Sequence, residues 1–359
     1  MITQKQHIVL CLTGREAQNE LLGFLVGAKS VFVVHGHHSY HSSGAKSLID
    51  ECLKETESVL TEFADFSENP KMGDVTIGLK ALSACMPDAI IAVGGGSVID
   101  MAKLIRFYGK SKVPLLAIPT TAGTGAESTH FAVCYIDGVK NSISHESILP
   151  NQVILYPELT YNNGRYLTSC TGFDALAQAI EAYWNINATH VSDQLAIRAI
   201  ENLFPILPRD VLSPEDRITL LKSSNDAGRA INITRTTMPH ALSYTLTSKY
   251  RYPHGHAVAL TFPFFLKYNI EGGPMRYKGS DYQGYEAKMH KLTSLLNIDG
   301  DPFLVMKRYT QQLGLGFDPE RDFDDQQVIK GLNLERAKNT PIAIDEQIVM
   351  EAVKSIRQQ

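Results

Sequence analysis

The chain has no uninterrupted apolar run long enough to cross a bilayer, so a helical membrane span is not expected. Its opening segment, MITQKQHIVLCLTG, has no basic stretch followed by a long apolar core. A soluble, unprocessed cytoplasmic protein is therefore expected. An excess of one charge is also missing: 34 Lys and Arg are interspersed with 38 Asp and Glu, for a formal net charge of −4. No basic stripe is available to grip a phosphate backbone, which argues against nucleic acid as a partner. Cysteine is sparse and odd in number. Cys11, Cys52, Cys85, Cys134 and Cys170 are scattered, without a CxxC pair, and fit buried free thiols in a reducing compartment better than a disulfide framework. Internal repeats, low-complexity tracts and Pro/Ser-rich linkers are absent too, which excludes a solenoid or tethered modules. What is present is 359 residues, 44% of them hydrophobic and 20% charged, enough for two domains with substantial cores.

From about residue 29 to 160, short β-branched runs (KSVFVVHG, DAIIAVGGG, VPLLAIPTT) alternate with helical patterns such as DVTIGLKALSAC. This alternation predicts a parallel sheet covered by helices. The runs DAIIAVGGG and VPLLAIPTT are continuously apolar, as strands buried on both faces must be. After Tyr156-Pro157-Glu158 the pattern turns to long helices, including DALAQAIEAYW, SDQLAIRAIENLF, EDRITLLKSSNDAGRAIN and YEAKMHKLTSLLN. The expected organisation is an α/β domain over residues 1–160 and an all-helical domain over 161–359, packed around a shared cleft.

Two small-residue loops follow the two most apolar strands. Gly94, Gly95, Gly96 and Ser97 enter a predicted helix that carries Asp100 and Lys103. Glycines let backbone approach a phosphate, and a helix N-terminus offers unpaired N–H groups and a favourable dipole. Alone, such a turn is a weak signal, with a merely structural bend as the lesser reading. The second loop, Pro119 to Glu127, adds the hydroxyls of Thr120, Thr121 and Thr124 at the adjacent strand end. Open α/β sheets bind ligands at their strands' carboxyl ends, so the pair favours a nucleotide. Lys140 and Gly36 complete the expected cofactor contacts.

In the helical half, Asp174 and Gln178 stand four residues apart (178 − 174 = 4) and share a helix face. His240 lies in PHALSY, and His254 and His256 in RYPHGHAVAL. A lone histidine is more often a satisfied core or surface residue, so spacing alone does not make these a metal site.

These segments together resemble the iron-containing alcohol dehydrogenase family. Gly94–Lys103 matches its GGGSxxDxAK turn, Pro119–Glu127 its PTTxGTGSE loop, and Asp174–Tyr183 its DALxHAxEAY helix. His240 and His254 fall in its two histidine motifs. The resemblance implies the dehydroquinate synthase-like fold of that family, with an α/β N-terminal dinucleotide-binding domain and an all-α C-terminal domain. It also implies NAD(P)H as cofactor and a divalent metal, Fe²⁺ ahead of Zn²⁺ or Mn²⁺, held by Asp174, Gln178, His240 and His254. Gln178 departs from the histidine usual there, and a neutral amide oxygen is a weaker, harder ligand. Tyr244 stands where many relatives have another histidine. Tyr244, His256 or a water relay would protonate the reduced oxygen. The family resemblance further implies dimers.

In NAD-preferring members an acid ends the second strand, whereas this chain reads Val34-His35-Gly36-His37-His38. Without that carboxylate nothing repels a 2′-phosphate, so NADPH use or dual use is expected. The run HGHHSYH fits a nucleotide-rim loop better than a metal site. For the substrate, Arg235, Thr236 and Thr237 form a polar, basic stretch just before His240. They match the oxygens of a small anionic aldehyde, although a solvated helix end is equally consistent. The combination DALAQAIEAYW, AINITRTTMPHALSY and LNLERAKNTP is similar to the phosphonoacetaldehyde reductase branch of the family, with Arg336 or Asn339 reaching the site. The implied reaction is phosphonoacetaldehyde to 2-hydroxyethylphosphonate. The alternatives are another short acidic aldehyde such as succinic semialdehyde, a dehydroquinate synthase-type lyase, and a nucleotide-binding protein without catalysis.

Overall fold

A computed structural model describes residues 7–136 and 139–359. The first six residues, part of the segment read above for a leader, lie outside the described residues. Contacts divide the chain into two compact units, residues 1–163 with 213–225, and residues 164–212 with 226–359. The single boundary expected at 160 thus omits a segment: the first half of the helix Pro214–Thr234 belongs to the first unit. One uninterrupted amphipathic run gives no sign in sequence that its two halves serve different cores.

The first unit is built on a six-stranded, all-parallel sheet. Its strands are β1 (Ile8–Cys11), β2 (Ser30–His35), β3 (Val59–Phe63), β4 (Ala89–Gly94), β5 (Leu115–Pro119) and β8 (Gln152–Leu155), in the order β1-β8-β5-β4-β2-β3. Strands β4 and β5 are buried along their whole length, as their unbroken apolar runs require. Four-residue β1 and β8 were not legible, because β1 is a partly exposed edge with no alternation to read. Strand order reverses between β2 and β4, so the connections leaving their carboxyl ends diverge. That reversal is where open α/β sheets leave a crevice for a ligand. Gly36 follows β2 there, and Gly94–Gly96 follow β4. A short antiparallel ladder of β6 (Phe131–Ile136) and β7 (Val139–Ser144) forms a separate two-stranded sheet.

The second unit is helical. Its central helix, Arg165–Trp184, is buried at every position from Thr168 to Trp184 except Thr171. A helix apolar on all sides must be enclosed, and this one packs against the helices His190–Ile206 and His254–Ile270. Aromatic stacking fixes the second contact, with Trp184 parallel to Phe262 at 5.6 Å and Phe173 edge-on to the same ring at 5.5 Å. The five cysteines are free thiols, and among the described residues no helix is long and apolar enough to cross a membrane.

Candidate metal and dinucleotide sites

In the first unit, the two small-residue loops are locked to each other. A Cβ on Gly96 would lie 2.6 Å from Thr124 Oγ1 and 2.8 Å from its methyl group, so this close approach requires glycine. Thr120 N–H donates to the Gly94 carbonyl (3.0 Å), joining the ends of β4 and β5. Thr120 is buried and its Oγ1 has no partner in the protein, as expected of a hydroxyl that meets a ligand. Gly95 is the N-cap of the helix Gly96–Tyr108 and offers no side chain to close that helix's N-terminus. Thr121 is half-buried beside Gly95, and Ser97 Oγ accepts from Asn69 N–H at 3.3 Å.

Lys103 is wholly buried and donates to the carbonyls of Ala126 (2.7 Å) and Phe131 (2.6 Å) and to Thr129 Oγ1 (3.2 Å). Burial pushes its pKa down to about 8 against the opposing pull of Asp100 and Glu127. Asp100, expected on the cofactor, instead accepts from Val133 N–H (2.9 Å) and lies 3.7 Å from Lys103. Its carboxylate anchors β6, a use invisible in sequence because the partner is a backbone group 33 residues away. Lys140 stands on β7 within electrostatic reach of Asp100. Glu127, also buried, accepts from Asn225 of the Pro214–Thr234 helix at 2.9 Å.

At the end of β2, Gly36 leaves room for Ser39, whose Oγ would be 2.8 Å from an added Cβ. His35 is buried and stacked on Tyr40 at 3.9 Å, and burial lowers its pKa. Glu62 on β3 is a carboxylate near this rim. It stands 3.8 Å from His35 and 3.7 Å from Lys46.

In the second unit, Asp174, His240 and His254 each offer a ligand atom, and the three atoms lie within 4.8 Å of one another. Asp174 and His240 are almost fully buried and His254 is partly exposed, which leaves one open side. His240 Nε2 is 3.0 Å from Asp174 Oδ1, and His254 Nε2 is 3.9 Å from the same oxygen. Gln178 is one turn beyond Asp174, its amide nitrogen donating to Asp174 Oδ2 at 3.2 Å. A carboxylate and two imidazoles converging in a buried place suit a borderline divalent cation. Burial works against a charged His240, yet the Glu181 and Asp174 carboxylates outweigh it and raise its pKa to about 10.

The approach of the two helices that carry these groups depends on Gly255. A Cβ there would lie 1.8 Å from the Cys170 carbonyl oxygen and 3.2 Å from Asp174 Cβ. The first turn of His254–Ile270 therefore rests directly on the backbone of Arg165–Trp184.

Of the two expected proton donors, the structure brings one to this cluster. Tyr244 lies one turn beyond His240, its ring 6.4 Å from that of His254. His256 is committed elsewhere, and its assignment is corrected accordingly: Nδ1 meets the Tyr166 hydroxyl and Nε2 the Gly316 carbonyl, both at 2.8 Å. Residues two apart on a helix point about 200° apart, twice the roughly 100° per residue, so His254 and His256 face opposite sides and cannot share a target.

Arg235 takes a left-handed conformation (φ 67°) at the end of the Pro214–Thr234 helix. Its carbonyl accepts from Asn185, and the Thr236 carbonyl accepts from Asn339 at 2.9 Å. Burial lowers the Arg235 pKa, and the nearby charge of Arg336 lowers it further, with Glu335 opposing. Thr236 is buried. Thr237, expected on the substrate, is fully buried and gives both its N–H and its hydroxyl to Glu181. Glu181 is the residue that sequence reasoning missed. The signal was present in its spacing, since Asp174, Gln178 and Glu181 recur at four and then three residues (178 − 174 = 4, 181 − 178 = 3) on one face of an otherwise apolar helix.

The comparisons agree with this geometry. The family model described as iron-containing alcohol dehydrogenase matches residues 11–157, and that of the C-terminal part of the same family matches 168–301. A probable alcohol dehydrogenase, EutG, of Escherichia coli K12 is 32% identical over 71% of this chain and 68% of its own length. The chain belongs to the iron-containing alcohol dehydrogenase family. The NAD-dependent methanol dehydrogenase of Bacillus methanolicus is 31% identical over 68% of this chain and 70% of its own. A crystal structure of an iron-containing alcohol dehydrogenase from Thermotoga maritima superposes with a TM-score of 0.82 at 26% identity, covering 98% of each chain. The chain is thus an oxidoreductase acting on CH–OH donors, with a nicotinamide dinucleotide and a divalent metal, iron, as the family's cofactors.

Proposed function

We propose that this alcohol dehydrogenase works as the reductase of a short anionic aldehyde, with phosphonoacetaldehyde as substrate and 2-hydroxyethylphosphonate as product. Asp174, His240 and His254 would hold the metal, with Gln178 turning its amide oxygen to the same ion. When bound, the metal supplies Lewis-acid polarisation of the carbonyl. Gly94–Gly96, Thr120, Thr121 and Thr124 would hold the dinucleotide, and the absence of an acid at Gly36 admits NADPH as well as NADH. The reaction consumes one aldehyde, one NAD(P)H and one proton. Hydride goes to the carbonyl carbon, and the proton goes to its oxygen from the Tyr244 hydroxyl, which solvent on the open side of His254 can recharge.

The observation that carries the substrate class is the half-buried Arg235, within electrostatic reach of Arg336. Both are positive, Arg235 half-buried and Arg336 only 9% exposed, so a bound dianion would offset their mutual repulsion. Hydrogen bonds from Asn185 and Asn339 brace the backbone at Arg235 and Thr236. A carboxylate such as that of succinic semialdehyde would use the same pair with less charge to gain. The lyase alternative is not favoured, since the family and its named relatives are alcohol dehydrogenases.

Substitution tests this directly. Arg235→Ala removes a charge-assisted contact of about 1.5–3 kcal/mol, so KM for phosphonoacetaldehyde should rise about 10- to 100-fold. KM for propanal, which has no anion to bind, should change little. An equal rise for both aldehydes would remove the arginine pair from the substrate site.

A further inference from the structure

The environment of His240 contains a one-way chain of hydrogen bonds. It starts at Trp184, whose indole N–H can only donate, and does so to Thr237 Oγ1 at 3.0 Å. With that lone pair used, the Thr237 hydroxyl proton turns to Glu181 Oε1 at 2.7 Å, and the Thr237 backbone N–H donates to the same oxygen at 2.8 Å. The other carboxylate oxygen, Oε2, meets His240 Nδ1. Glu181 has no exposed surface, so water cannot substitute for any of these partners.

We infer that Glu181 is a positioning residue that fixes His240 in the tautomer with its proton on Nδ1, leaving Nε2 to bind the metal beside Asp174. The inference rests on the reading of Asp174, His240 and His254 as metal ligands. Every donor in the chain points at Glu181, so Nδ1 must also donate to it. The opposite ring nitrogen, 3.0 Å from Asp174 Oδ1, is then the one that gives up its proton to an incoming cation and binds it, as metal ligands do. A carboxylate behind a ligating imidazole also raises its basicity and holds its plane. The Thr237 backbone N–H cannot rotate away, which fixes the outcome of an isosteric change. In Glu181→Gln the amide oxygen must face Thr237, and its NH₂ then faces His240 Nδ1. That forces Nδ1 to accept and places the ring proton on Nε2, where the metal should bind.

The test is metal affinity, measured by competition with a chromophoric chelator for Co²⁺ on purified, chelator-stripped full-length protein. For Glu181→Gln we expect Co²⁺ binding about 10- to 100-fold weaker than wild type and altered Co²⁺ visible bands, with the far-UV circular dichroism of the stripped proteins unchanged. Thr237→Val, which keeps the shape and the backbone N–H but removes the hydroxyl, should weaken binding by a smaller factor. It serves as the deciding variant should Glu181→Gln not fold. Wild-type affinity in the folded variant that is tested would overturn the role of Glu181 alone. Failure of the wild type itself to bind one Co²⁺ per chain, or full retention by His254→Ala, would instead overturn the metal-site reading beneath it.

Discussion

Two residues in this enzyme are set apart by their surroundings, His35 by burial and Arg235 by its backbone conformation. His35, buried under Tyr40 at the end of β2, has its pKa lowered by desolvation, so the folded protein refuses a proton that the unfolded chain accepts near pH 6.5. Stability from this group is present above about pH 6.5 and is lost as the pH falls through that value toward the lower folded pKa. A thermal-denaturation series from neutral to mildly acidic pH should show the midpoint falling, and His35→Gln should flatten part of that fall. An identical slope in the variant would mean that other groups carry it. Arg235 is set apart by its backbone instead, taking a left-handed φ just after the Pro214–Thr234 helix. Neither property was legible in the sequence. The HGHHSYH run signalled a rim, but not which histidine is buried, and a left-handed arginine looks like any other arginine before folding. The convergence of Asp174, His240 and His254 was legible through their motifs. The uses of Thr237, Asp100 and His256 were not, because each is decided by a partner 33 to 90 residues away.

The elements depend on a few close approaches. Helix His254–Ile270 meets helix Arg165–Trp184 at Gly255, and the metal cluster exists only while that contact is tight, since His254 and Asp174 sit on either side of it. Gly255→Ala cannot be accommodated by a side-chain shift, because the obstructing atom is the Cys170 backbone carbonyl. Overpacking of this kind costs about 1–3 kcal/mol and moves backbone. The melting temperature should drop by several degrees, and Co²⁺ binding should weaken as His254 is carried away from Asp174. A stable variant with normal metal affinity would show that the two helices approach less closely than described. The helices and the central strands β2, β4 and β5 were readable because burial on all sides leaves continuous apolar runs and helices leave 3.6-residue periodicity. Short β1 and β8 leave neither. The shared helix Pro214–Thr234 was readable as a helix but not as one that divides its residues between two units.

At the scale of the whole molecule, one unit supplies loops suited to a dinucleotide and the other supplies ligands suited to a metal. Family membership joins these into a single activity. The measurement that tests this most directly is oxidation of NADPH, followed by its absorbance, with phosphonoacetaldehyde and with Fe²⁺-loaded, chelator-stripped and Fe²⁺-reconstituted enzyme prepared without oxygen. The account predicts turnover by the loaded enzyme, loss on stripping, recovery on reconstitution, and no recovery in His254→Ala. Undiminished turnover by the stripped enzyme, or by His254→Ala, would contradict it.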